Sequence, residues 1–404
     1  MLAPSSNALS DRAQTLLRAS VVRRSDLELV FDESVATTAD VHVEGRNFYP
    51  PMLHDIASAR SSVHVNQFGF RPGTVGEAFA EALLAKAAEG VQVRLVVDSK
   101  GSDPDGSSRE FYERLLRGGI EVRVVRATQP RAPTQPVAAG GASRWNLGHL
   151  AHIDHRKVVV VDGTIGWVGG AGVEDHFQDG RFHDLFLRVT GPVVSQLQLV
   201  FVATFRWLGG SIAVEAADAL FPAHDDAAAG MPAVVLHNAP GSRPITHAIA
   251  RMLDEASSTL DVVNPYVADR GMIRRIEQAA RRGVRVRLFV PAEANNWACA
   301  AAQQHHHRKL LDAGVAILEH PAMLHAKAVV RDGEQVIAGT CNLEAWSLRR
   351  FFEIDVLVRS HELAAQFEER FSAPAEAISR PGTALVGARE RLRAAAFAAI
   401  SPLL

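Results

Sequence analysis

The sequence predicts an α/β protein made of two similar halves, each a mixed sheet flanked by helices, related by a pseudo-twofold axis. The first reason is a repeat: "MLHDIASARSSVHVNQFGF" (52–70) with "GEAFAEALLAKAAEGVQVRLVVD" (76–98) returns as "ITHAIARMLDEASSTLDVVNPYV" (245–267) with "MIRRIEQAARRGVRVRLFVP" (272–291). The second is that helical and strand periods alternate inside each copy, a pattern that builds a parallel or mixed sheet with helices packed on it. The third is a pattern present in both copies, His-x-Lys-x4-Asp and then glycine, at His155, Lys157, Asp162 and Gly169 and again at His325, Lys327, Asp332 and Gly339.

Taken in order, the first helix carries Phe79, Leu83 and Ala87 on one face and stops at Gly90, before a β-branched strand from Val91 to Val97. The second copy has Met272, Ile276 and Ala280, a stop at Gly283, and a strand from Val284 to Val290. From Asp98 to His155 is 57 residues, but from Pro291 to His325 only 34, so the first half carries an excess of 23. That excess falls in "ATQPRAPTQPVAAGGASRW" (127–145), a Pro-, Gly- and Ala-rich loop that either covers the site or is a surface insertion. The stretch 209–244, with Asp225 and Asp226, joins the halves; a cut near residue 222 gives 1–222 and 223–404, which are expected to share one interface with the site at its centre. The tail 388–404 mixes Arg389, Arg391 and Arg393 with Leu392, Ala396, Phe397 and Ile400. A helix docked on the core is the favoured reading and an interfacial helix the alternative. Trp207 and Trp346 read as packing residues.

With 404 residues, 47% of them hydrophobic, the chain can bury a substantial core. Lys and Arg number 43 against 45 Asp and Glu, a formal charge of −2, and there are three Tyr and five Trp. Neither a basic field nor a supply of stacking residues points to nucleic acid, so that partner is disfavoured. The two cysteines form no disulfide framework, and the opening "MLAPSSNALSDRAQ" lacks a signal-peptide core. The expectation is a cytoplasmic protein whose contact with a bilayer, on the inner face of the cell membrane, is peripheral, because no apolar run approaches the ~18 residues of a span. The run His305 to His307 has no carboxylate or cysteine spaced to complete a metal site and reads as a solvated helix face. No metal and no cofactor is expected.

The repeated motif carries the chemistry. On a strand, His-x-Lys places both side chains on one face roughly 7 Å apart. Imidazole is a nucleophile near neutral pH, and the ammonium supplies the positive charge that a phosphodiester oxygen requires. Two copies facing each other bring two histidines and two lysines to one anion, so that one histidine attacks phosphorus and the other protonates the leaving oxygen. Asp162 and Asp332, each before a glycine, read as hairpin turn residues with a structural role. An attacking imidazole also needs its second nitrogen held by an acceptor. Asp184 lies 29 residues after His155 and Glu353 lies 28 after His325, both inside apolar runs where an idle carboxylate would be costly to bury, and these are the expected orienting pair.

On the two motifs, and on "DHRKVVVVDG", "HDLFLRVTGPVV", "LLDAGVAILEHPAMLHAKAVV" and "GTCNLEAWSLRRFFEIDVLV", the chain resembles the phospholipase D superfamily over about residues 48 to 375, and its cardiolipin synthase branch most. The resemblance implies a metal-independent, two-step displacement through a phosphohistidine, with His155 as nucleophile and His325 as general acid. Water as acceptor gives hydrolysis to phosphatidic acid; an alcohol gives phosphatidyl transfer, in this branch from or to a phospholipid such as phosphatidylglycerol. The implied function is therefore a phosphatidyltransferase, with a phospholipase D or a phosphodiesterase or nuclease of the same superfamily as the alternative. Phosphate-binding positions carried over from the family fall on Thr340 and Asn342 in the second half, but on Gly170 and Gly172 in the first, where the family's asparagine is missing.

Overall fold

The computed structural model describes residues 6–19, 21–126, 153–224 and 230–401. The 127–145 segment and the pair Asp225 and Asp226 lie outside the described residues. The first half supplies β1 (Ser34–Ala36), β2 (Ala39–Val43), β3 (Ser62–Gln67), β4 (Gln92–Asp98), β5 (Glu121–Val125), β6 (Lys157–Val161), β7 (Ile165–Gly169), β8 (Phe182–His183) and β9 (Leu185–Thr190). Seven of these form a sheet in the order β2-β9-β7-β6-β3-β4-β5. In it β3, β4 and β5 run parallel and the remaining neighbours are antiparallel.

The second half supplies β10 (Met231–Asn238), β11 (Thr259–Val263), β12 (Arg285–Pro291), β13 (Ala316–His320), β14 (Met323–Leu324), β15 (Ala328–Arg331), β16 (Gln335–Gly339), β17 (Glu353–Arg359) and β18 (Arg380–Pro381). Its sheet runs β1-β10-β17-β16-β15-β11-β12-β13-β18. Without the edge strands β1 and β18, this order repeats the first sheet strand for strand, with the same parallel and antiparallel pairs. The α/β fold of two mixed sheets flanked by helices that the repeat predicts is therefore the fold observed. One strand breaks the division: β1 belongs to the first half by sequence but pairs with β10.

Strand alternation explains how each sheet is covered on both faces. Val159 and Val161 join Phe79 and Leu83 in a helix-side core. Their neighbours Val158 and Val160 face the other way, into a core shared with Ala328, Val330, Val336, Ile354 and Val356 of the second sheet. The helix Val193–Trp207 packs along this seam and is buried over nearly all its length. The helices Thr74–Ala88 and Arg270–Arg281 turn into β4 and β12 through Gly90 and Gly283, whose φ of +88° and +94° suits glycine.

Other expectations resolve as follows. The helix Ala388–Ile400 is docked: Phe397 meets Trp297 edge-on at 4.8 Å, Arg393 covers the same ring, and Arg270 donates to the Ala398 carbonyl at 2.7 Å. The histidine run needs correction. It straddles a break between the helices Trp297–Gln304 and His307–Asp312, so only His305 is exposed, while His307 is buried against the Thr383 carbonyl. Trp207 packs on Phe352, and Trp346 on Phe351 with Arg350 over its ring. No helix among the described residues is long and apolar enough to cross a membrane.

Candidate active site

Each motif histidine sits just before its strand, His155 ahead of β6 and His325 ahead of β15. Backbone pairing places it beside a segment of the other half. The His155 N–H donates to the Phe352 carbonyl, and Asp154 bridges to Phe352 in parallel. Symmetrically, the His325 N–H donates to the His183 carbonyl, and β14 pairs in parallel with β8. Phe352 and His183 are the residues immediately before Glu353 and Asp184. The lead-in to each histidine therefore runs alongside the lead-in to the opposite half's carboxylate.

The consequence is an exchange across the pseudo-twofold axis. His155 Nδ1 lies 3.0 Å from Glu353 Oε1, and His325 Nδ1 lies 2.7 Å from Asp184 Oδ2. Each carboxylate holds the histidine of the opposite half, not the one that precedes it in its own. Where the carboxylate is ionised it can only accept, so Nδ1 then bears the proton and Nε2 keeps the lone pair. The two imidazoles retain 12% side-chain exposure while Glu353 and Asp184 have 0% and 1%, so the rings are reachable and their supports are not.

The lysines complete the centre. Lys157 Nζ donates to the His155 carbonyl at 2.6 Å, and Lys327 Nζ lies against the His325 ring, 3.0 Å from Nε2. Both are about 2% exposed. Burial pulls Lys157 down to about 8 and Lys327 to about 7, although the nearby Glu353 and Asp184 pull back. The imidazoles are lowered too, first by burial and then by the lysine charges, His325 to about 3. Burial raises the Glu353 carboxyl to about 7, offset in part by Lys157 and the Thr340 hydroxyl. Asp184 ends below the usual range: burial pushes it up, but its bond to His325 and the His325 and Lys327 charges outweigh that. Two ammonium groups whose charge is disfavoured chiefly by burial gain from an incoming anion, which supplies a countercharge in place of the lost solvent.

The phosphate positions carried over from the family behave differently from one another. Asn342 is buried, and its Oδ1 has no hydrogen-bond partner among the described residues. Thr340 departs from that expectation: its side chain is fully buried, donating its hydroxyl to Glu353 Oε2 at 2.5 Å and accepting from the Ile354 N–H, so it braces the carboxylate. At the equivalent Gly170, a β-carbon would stand 2.3 Å from Asp184 Oδ1. The shorter Asp184 fills the space that Thr340 occupies in the other half, and takes the Leu185 N–H instead of a hydroxyl.

Asp162 and Asp332 make the expected turns. Each adopts positive φ (51° and 55°), as does the following glycine (65° and 63°), which is the type I′ geometry of a tight hairpin. They also do something turn chemistry alone does not signal. The Asp162 carboxylate accepts from the Arg60, Ser61 and Ser62 N–H groups, each at 2.8 Å, and Asp332 from those of Ser257, Ser258 and Thr259. The motif aspartates thus fasten each motif hairpin to the strand beside it.

The phenylalanines around the centre were missed. Phe68 and Phe351 lie 5.1 and 6.4 Å from the His155 ring, and Phe177 and Phe182 lie 5.4 and 5.7 Å from the His325 ring. A signal was present: Phe182 and Phe351 each stand two residues before an orienting carboxylate. These walls cover part of the two imidazoles and give the centre an apolar lining.

Residues 52–196 and 249–374 match the family described as cardiolipin synthase, phospholipase D-like domain. Among curated proteins, the cardiolipin synthase of Listeria monocytogenes serotype 4a (strain HCC23) is 25% identical over 85% of this chain and 71% of its own length. That of Geobacillus sp. (strain WCH70) is 27% identical over 83% of this chain and 66% of its own. The crystal structure of phosphatidylserine synthase from Haemophilus influenzae Rd KW20 matches 98% of this chain and 100% of its own with a TM-score of 0.68 at 12% identity, a likeness of fold.

Proposed function

The chain belongs to the cardiolipin synthase, phospholipase D-like family, and from that premise we propose that this enzyme is a phosphatidyltransferase that moves a phosphatidyl group to the alcohol of a lipid headgroup through a phosphohistidine. The observation that carries the reading is the exchanged pair of carboxylate-held histidines around two buried lysines. With the phosphate anion bound, His325 takes up a second proton at Nε2; His155 Nε2 then attacks phosphorus, the P–O bond to the leaving alcohol breaks, and the His325 Nε2 proton passes to that oxygen. In the second step the accepting alcohol gives its proton to His325 and its oxygen attacks phosphorus as the P–N bond breaks. Asp184, held in its charged form, stabilises the imidazolium that His325 must become, which supports His325 as the acid. Lys157, Lys327 and the Asn342 amide bind the phosphate oxygens.

The substrate in this reading is a phospholipid such as phosphatidylglycerol. The phenylalanine walls suit glycerol and acyl carbons, and they are not arranged as a stacking groove with a basic flank. Contact with the membrane is peripheral, through the docked tail helix, where Leu392 (74% exposed) and Ile400 (44%) stand among Arg389, Arg391 and Arg393 near the exposed Trp297. The halves, divided near residue 222, act as one catalytic unit.

The test is to incubate purified protein with labelled phosphatidylglycerol in mixed micelles containing chelator, with and without added glycerol or ethanol, and to resolve the lipid products. Cardiolipin or a phosphatidyl-alcohol is expected, with a loss on the order of a thousandfold in both His155→Ala and His325→Ala. Phosphatidic acid alone would make the enzyme a hydrolase. No turnover of this or other phospholipids would overturn the lipid reading.

A further inference from the structure

The duplication allows each position of the site to be compared with its mate, and the two halves differ around Gly172. Strand-for-strand correspondence pairs Gly172 with Asn342, and Glu174 with Glu344. Glu344 serves its own helix: it caps Ala345–Arg349, accepting from the Trp346 and Ser347 N–H groups at 2.6 and 2.8 Å. Glu174 stands at the same N-cap position of the short turn Asp175–Phe177 but makes no capping bond. Its carboxylate turns inward instead. Glu174 Oε2 lies 2.8 Å from where a β-carbon of Gly172 would be, and 2.5 Å from that of Gly69.

In the first half, therefore, a carboxylate enters the space that an asparagine side chain would start from. It is flanked by cations, with Arg71 Nε 3.4 Å from Oε1 and Lys157 close enough to pull its titration down against the larger effect of burial. The side chain keeps 22% exposure. No hydrogen-bond donor among the described residues meets Oε2. The exchange of amide for carboxylate is also locked in, because a β-carbon at 172 would meet the Gly69 carbonyl oxygen at 2.9 Å even if Glu174 were removed.

A carboxylate differs from the amide it replaces in one decisive way: it accepts hydrogen bonds and cannot donate them, and it repels phosphate. It therefore has no use for the phosphodiester oxygens but suits a hydrogen-bond donor carried beside them. We propose that Glu174 is a specificity-determining residue that accepts a hydrogen bond from a second hydroxyl of the accepting alcohol, selecting polyol acceptors over alcohols with a single hydroxyl. This rests on the transferase reading above, and deepens it by naming the acceptor class.

Products formed with glycerol, ethanol and ethanolamine as competing acceptors would be measured for the wild type, Glu174→Ala and Glu174→Gln. The expected result is a fall on the order of tenfold in the glycerol-to-ethanol product ratio for Glu174→Ala, arising in the glycerol kcat/KM, with part of the preference kept by Glu174→Gln, whose amide oxygen still accepts. Equal losses with both alcohols would mean that Glu174 only balances Arg71 and Lys157, and would overturn the proposal. So would a change confined to ethanolamine, which would assign the carboxylate to an ammonium group. Binding of glycerol 1-phosphate and ethyl phosphate to the same proteins, followed by calorimetry, separates this idea from the reaction itself. If no alcohol is phosphatidylated, the transferase reading fails, yet a loss of glycerol 1-phosphate affinity in Glu174→Ala with ethyl phosphate unchanged would still support the Glu174 contact, and no difference would sink it.

Discussion

At Gly170 the space for a side chain is already taken by the Asp184 carboxylate, whose other oxygen holds His325. Gly170→Ala is therefore expected to push Asp184 away, lengthen its bond to His325, and lower turnover about a hundredfold or more, since a mis-held imidazole loses both tautomer and direction. The melting temperature should fall as well, because a buried carboxylate is displaced from its partner, so turnover is compared at a temperature where the variant is fully folded. Normal turnover in Gly170→Ala would show that His325 does not depend on Asp184. The same position explains a limit of sequence reading at this scale. Family resemblance gives Thr340 and Gly170 one role, phosphate binding, but the structure gives each the task of fitting its neighbouring carboxylate. Residue identity at one position is decided by the length of the side chain it packs against, and that partner lies 13 or 14 residues away in sequence.

Among the elements, the two motif hairpins were legible because everything that makes them is local: valine runs for the strands, Asp-Gly for the turn. What the turn pattern does not reveal is its surroundings, and these separate two otherwise identical turns. Around Gly333 a β-carbon would meet nothing within 4 Å, whereas at Gly163 it would stand 2.4 Å from the Leu220 carbonyl oxygen and 2.8 Å from Pro222. Gly333→Ala should thus cost only the strain of a left-handed alanine, roughly 1 to 2 kcal/mol. Gly163→Ala adds a collision with backbone and should cost about twice that or more. Urea unfolding of the two variants checks this, and equal losses would show that the chain after the helix Val193–Trp207 gives way freely. The helix ending at Gln304 was harder to foresee, since three adjacent histidines carry no period and a break between helices leaves each in a different setting.

For the whole molecule, the repeat, the mixed sheet in each half and the six side chains that meet at the centre could be read from the sequence, but the strand order and the partnership between those side chains could not. Matched spacings of 29 and 28 residues suggest that each half completes its own histidine. The structure instead joins residues 198 and 141 positions apart, His155 with Glu353 and His325 with Asp184. The cause is backbone pairing across the shared core, which sets Asp154 beside Phe352 and β14 beside β8. Neither half alone then contains a supported histidine, so the duplicated chain must close on itself before any chemistry begins. Nitrogen-15 spectra of labelled histidine give a direct check that needs no substrate. Glu353→Gln should alter the ring nitrogens of His155 and leave those of His325 in place, because a neutral amide no longer fixes Nδ1–H in the same way. Asp184→Asn should do the reverse. A response of His155 to Asp184→Asn, with His325 silent, would return each carboxylate to its own half and remove the exchange on which the proposed mechanism depends.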